Sequence, residues 1–207
     1  LHLTGFDNCA HKYLKVILGD KIERRWYPYQ PDLDGMLERI RDARRMAQWV
    51  VVAMHNQDMP GDAPCEHAIT MYHAMIEAGA DVLVGTGPHQ DRGIEIYKGR
   101  PIFYNLGNFA VHEILPAGDA PPGVTAVEAD EIGNDWVQQP DNLVAVVAST
   151  RYQDGKLQEV RLYPVDLGVG KSRPWSRMSI AQTPSPALAN EILTKLQQYS
   201  APFGTRI

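Results

Sequence analysis

The sequence predicts a layered α/β fold, and three observations carry that expectation. A continuous apolar run, "WVVVAM" at 49–54, has the β-branched content of a strand buried on both faces. A segment at helical spacing follows, with Ala68, Met71, Tyr72, Met75 and Ile76 on one face and Gly79 as its stop. A second apolar strand, "DVLVG" at 81–85, comes next. Strand, helix, strand in that order implies a crossover between parallel strands.

The flanking segments extend this unit. Asp32 is expected to cap a helix over 33–47, with Leu33, Met36, Leu37 and Ile40 inward and Arg39, Arg41, Arg44 and Arg45 largely outward. After the second strand, "GIEIY" and "PIFYNLG" flank Lys98-Gly99-Arg100 and read as a hairpin. "LVAVVASTRY" and "KLQEVRLYPV", joined through Asp154-Gly155, read as another. Ser185 and Pro186 open a final helix carrying Leu188, Ile192, Leu193, Leu196 and Tyr199. Residues 109–141 show no period and read as a long acidic loop or lid. The whole of 1–207 is expected to form one domain.

Composition narrows the function classes. The 207 residues are 44% apolar and 22% charged, with a net charge of -5. Nucleic-acid binders carry a basic footprint, so nucleic acid is not expected as a partner. No apolar run approaches a membrane span. Compartment is left between the cytoplasm and the cell envelope. Cys9 and Cys65 have no metal-type spacing. From Pro101 to Thr150 there is no lysine or arginine, while Glu113, Asp119, Glu128, Asp130, Glu131, Asp135 and Asp141 all fall there. Such a run is more often a solvated loop than a lid over a cationic centre.

The chemistry concentrates where two strands end. In open α/β sheets the functional crevice lies beyond the carboxyl ends of the parallel strands. His55 leaves one such end. His89 sits in the loop "GTGPHQ" beyond the next. Neighbouring strands lie slightly under ~5 Å apart, so the two imidazoles can converge. Converging imidazoles suit a divalent transition metal once carboxylates or an amide complete the shell. Asp58 lies within reach, beside Gln57. A lone loop histidine is more often a packing residue, and it is the pairing at equivalent strand ends that shifts the balance. His67 and His73 fall on a helix and read as its polar face. His112 and Glu113 follow "NLGNF" closely enough to face the same crevice. "GTGPH" lacks the Gly-Lys-Ser/Thr ending of a phosphate-binding loop. No Gly-x-Ser-x-Gly element is present, and nucleophilic side-chain catalysis is disfavoured.

The segment "AGADVLVGTGPHQDRGIEIYKGRPIFYNLGNF" and the tail "YSAPFGTRI" resemble the bacterial capsule-biosynthesis, or poly-gamma-glutamate synthesis, CapA-type family. That family resembles the calcineurin-like metallophosphoesterases in fold. The resemblance implies His55, His89 and Asn108 as metal ligands, with Asp58 retained by type, around manganese, iron or zinc. Two positions depart from it. Thr86 stands where the family has a histidine, and Gln57 stands where one branch has another. An amide and a hydroxyl in place of two imidazoles shift preference toward harder ions.

The resemblance also implies an N-terminal half, with an Asp-containing strand and an Asn-Asn-His-like segment. Upstream sequence or a partner chain would supply it, so 1–207 is not expected to complete the site alone. The leading functional expectation is a metal-dependent hydrolase acting on a capsule-type polymer or a small molecule, at an amide, ester or phosphoester. Asp58 or His112 would serve as acid–base residue. The alternative is a degenerate member that binds polymer or partner without catalysis. A nucleotide phosphoesterase rests on fold analogy and ranks last.

Overall fold

The computed structural model describes residues 28–56, 62–109, 140–169 and 180–207. Helix α1 spans Gln30–Met46, with Pro31 in its first turn, where a missing N–H costs nothing. Tyr29 precedes it without a side-chain cap, and Asp32 lies inside the first turn. The expected Asp32 cap is therefore corrected: the helix starts three residues earlier, and the carboxylate instead lies in the first turn, at the positive end of the helix dipole. Leu33 and Ile40 are buried. Arg44 does not stay outside. Its guanidinium donates to Asp81 Oδ2 at 2.7 Å.

Strand β1 (Val51–His55), helix α2 (Glu66–Glu77) and strand β2 (Val82–Thr86) form the expected crossover. The strands pair in parallel from Val51 opposite Val82 to His55 opposite Thr86. Every residue expected on the inner face of α2 is buried. Gly79, at φ 121°, follows its end. β3 (Ile94–Tyr97) and β4 (Arg100–Phe103) form the first hairpin, turning through Lys98 (φ 50°) and Gly99 (φ 75°). Positive φ at both turn residues matches the right-handed twist of the flanking strands. β4 also pairs in parallel with β2, so the sheet order is β1-β2-β4-β3.

Two layers cover this sheet. α1 and α2 pack on one face against Val50, Val52, Met54, Leu83, Ile102 and Tyr104. On the other face lie the hairpin β5 (Val144–Gln153)–β6 (Lys156–Asp166) and helix α3 (Pro186–Ser200), over Val82, Val84, Ile94 and Phe103. Ser185 caps α3 as expected, accepting from Leu188 N–H at 3.3 Å.

β1 is not buried on both faces. Among the described residues it is an edge strand, and Val51 is 62% exposed because the β5–β6 hairpin covers β2, β4 and β3 but stops short of it. His73 is another correction. It does not lie on a solvated helix face: its Nε2 is 2.9 Å from both carboxylate oxygens of buried Glu95, and its ring stacks on Tyr97 at 3.7 Å. The pair joins α2 to β3. At the amino end of the sheet, Asp81 accepts from Arg44 and from Val50 N–H and pairs with Arg100 at 2.6 Å. No helix among the described residues is long and apolar enough to cross a membrane.

Candidate functional site

The two histidines singled out by the sequence end up at the carboxyl end of the sheet. His55 is the last residue of β1 and lies in register with Thr86, the last of β2. Asn56 N–H donates to Thr86 O at 2.7 Å, carrying the pairing one step further. Thr86 Oγ1 lies 3.3 Å from Met54 O and 3.3 Å from His55 Nδ1. If the hydroxyl gives its proton to the carbonyl, it accepts from Nδ1–H, and His55 presents Nε2 as its lone-pair nitrogen. Thr86, where the resemblance implies a histidine, thus steers the neighbouring imidazole.

His89 is positioned by the first hairpin. Residue numbers of facing partners add to 197 throughout it, from Ile94 opposite Phe103 to Tyr97 opposite Arg100. The ladder continues beyond the strands: Tyr104 N–H donates to Gly93 O, Arg92 N–H to Asn105 O, and Asp91 bridges Leu106 in the same register. Residues 89 and 108 face each other by the same rule. His89 Nδ1 indeed meets Asn108 Oδ1 at 2.7 Å. The amide oxygen only accepts, so Nδ1 carries the proton and Nε2 the lone pair. Asn108 Nδ2 donates in turn to the Asn142 carbonyl at 3.2 Å, which fixes the amide orientation. His89 holds φ 63°, a left-handed conformation uncommon outside glycine, and the hydrogen bond helps retain it.

Glycines give this corner its closeness. A Cβ on Gly85 would stand 2.3 Å from Tyr104 O, so only glycine lets β2 approach β4 there. Gly107, at φ 77°, has Val144 O and Asp91 Oδ1 where a Cβ would go.

Beneath the His89 loop lies a carboxyl that sequence reasoning did not single out. Asp91 is 8% exposed, and its Oδ1 has no hydrogen-bond partner among the described residues. Burial pushes its pKa up to about 7, with Lys195 pulling down and Asp141 pushing up. Lys195, from α3, forms an ion pair with Asp141 in the 3₁₀ turn Pro140–Leu143. Asn142 and Asp141 gave no sequence signal of a site beyond membership in a polar stretch.

Both imidazoles therefore stand at adjacent strand ends with Nδ1 engaged, as metal-ligating histidines are when an outer partner fixes the tautomer. Asn108 serves His89 rather than standing apart as an independent donor. By donor type alone, two such Nε2 lone pairs suit a divalent metal. No group of three His, Cys, Asp or Glu able to hold a metal occurs among the described residues. Asp58 and His112, the expected acid–base residues, lie outside the described residues, as does nearly all of the acidic stretch 109–141.

A sheet whose β1, β2 and β4 run parallel, set between two layers and with histidine loops at its carboxyl end, defines the class: a layered, metallophosphoesterase-like α/β fold. Residues 8–113 match the family described as bacterial capsule synthesis protein PGA_cap, and the chain belongs to that family. It is 37% identical over 201 residues to the uncharacterized protein y4sH of Sinorhizobium fredii, an alignment covering 85% of this chain and 42% of that protein. It is also similar to the PGA biosynthesis protein CapA of Bacillus subtilis, at 40% identity over 83 residues, 40% of this chain and 21% of that one. The capsule biosynthesis protein CapA of Bacillus anthracis is 40% identical over 80 residues, 37% of this chain and 20% of that protein. The match to y4sH thus spans about two fifths of that relative's length.

Proposed function

We propose that this chain supplies one side of a metal-dependent hydrolytic site. The observation that carries the reading is the pairing of His55 and His89 at neighbouring strand ends, each with Nδ1 against a neighbouring side-chain oxygen. His55 and His89 would hold the ion through Nε2, and Asn108 would orient His89. A divalent metal held there lowers the pKa of a bound water and polarises the scissile group. Asp58 and His112 are the proposed proton-transfer residues. The substrate class proposed is a capsule-type polymer such as poly-gamma-glutamate, or a smaller amide, ester or phosphoester. The names of the Bacillus relatives support the polymer. Further ligands would come from outside the described residues, from further strands of a longer protein or from a partner chain. The open face of β1, with Val51 and Trp49 exposed, is where such strands would pack.

The test is polymer hydrolysis by the longest form of the protein with added manganese. Shortening of poly-gamma-glutamate, lost in His89→Ala with the fold intact by circular dichroism, is the expected result. Shortening that survives His89→Ala overturns the reading. A second reading, a non-catalytic polymer-binding member, is favoured by Thr86 standing beside His55 in place of an imidazole. It predicts unshortened polymer that still binds after both histidines are replaced by alanine.

A further inference from the structure

We infer that Lys195, on the C-terminal helix, is a positioning residue for His89, acting through the turn 140–143 and Asn108. The inference rests on the reading of His89 as a metal ligand and adds to it the element that aims the ring. The chain of contacts is continuous. Lys195 grips Asp141, the next residue's carbonyl accepts from Asn108 Nδ2 at 3.2 Å, and Asn108 Oδ1 accepts from His89 Nδ1 at 2.7 Å.

Three features argue that the ion pair orients rather than merely stabilises. Its side chains are 38% and 50% exposed, and ion pairs that open to solvent contribute little to stability. The turn it holds is only four residues long and runs straight into β5, and it is fastened on that far side where Leu167 N–H, just past β6, donates to Leu143 O at 2.8 Å. Its near side is the end gripped by Lys195. The α3 backbone is rigidly seated, with Ile192 and Leu196 in the core and Ser200 Oγ accepting from Ile94 N–H at 2.9 Å. A fixed helix thus sets the height of the Asn142 carbonyl, and that carbonyl sets the rotation of the Asn108 amide. Losing the grip frees the amide to turn, and His89 Nδ1 then loses its defined acceptor.

The experiment uses the whole chain as Lys195→Met, Lys195→Arg and Asp141→Asn. Two readouts are taken: the His89 tautomer by long-range ¹H–¹⁵N correlation without added metal, and manganese affinity by titration. We expect a single Nδ1–H tautomer in the parent protein and a mixture in Lys195→Met and Asp141→Asn. Manganese should bind roughly 10-fold more weakly in both variants. Lys195→Arg should restore both readouts. Parent-like tautomer and affinity in Lys195→Met and Asp141→Asn overturn the inference, and so does a failure of Lys195→Arg to restore them. The two levels separate cleanly. A mixed tautomer in variants of a protein that binds no manganese sinks the metal reading but keeps the relay. Unchanged affinity in variants of a protein whose His89→Ala form binds none sinks the relay alone.

Discussion

His89 and Asn108 occupy facing positions on one antiparallel ladder, and their side chains close it with a 2.7 Å hydrogen bond beyond the last backbone pair. A loop after β2 and a loop after β4 are thereby locked together at the carboxyl end of the sheet.

Replacing Asn108 by leucine removes the acceptor for His89 and the donor to Asn142. Metal affinity should fall roughly 10- to 100-fold, the usual effect of losing a partner that orients a ligating histidine. Asn108→Asp keeps the acceptor but loses the donor to Asn142, so its affinity should fall between those of the parent protein and Asn108→Leu. Competition titration against a chromogenic chelator checks both.

That contact was partly legible in the sequence. The hairpin was readable with Lys98-Gly99-Arg100 between its strands; the turn is Lys98-Gly99 alone, with Arg100 in β4, and that register makes residues 89 and 108 face each other. His89 and Asn108 were both named, but as separate ligands. The register was the missing step. β1 was misread for a different reason: an apolar run shows that one face must be covered, and Val51 depends on which neighbours reach it. His73 looked like a surface residue because helical spacing cannot show that Glu95, 22 residues away, supplies its partner. Asp141 and Lys195 are 54 residues apart and carry no local pattern at all.

Asp81 tests the opposite end of the sheet. It is 3% exposed at the side chain and holds Arg44, Arg100 and the Val50 N–H. Asp81→Ala removes the acceptor of the buried Val50 N–H and one partner of each guanidinium, and should cost about 2 kcal/mol. Urea unfolding measures it. Metal affinity should stay unchanged, because the site lies at the other end of β2.

Asp91 gives the metal-free protein a pH dependence. Its folded value, about 7, lies above the ordinary 3.8. The folded state therefore holds this proton more tightly than the unfolded chain. The associated stability is fully present below about pH 4 and is lost as pH rises through about 7, by up to roughly 4 kcal/mol. Asp91→Asn should flatten this part of the profile in urea unfolding between about pH 4.5 and 8. An unchanged slope would assign the effect elsewhere.

Thr86→His places an imidazole in register with His55. Zinc should then bind at least about 10-fold more tightly, because imidazole nitrogen suits that ion better than a hydroxyl does. Isothermal titration of the variant beside the parent protein reads this directly.

The central claim is that His55 and His89 share a metal. Elemental mass spectrometry on the native, longest form of the protein, beside His55→Ala/His89→Ala, tests it most directly. Near-stoichiometric divalent metal is expected in the parent protein, with its loss in the double variant. Equal metal content in the two, or none in either, would contradict the claim.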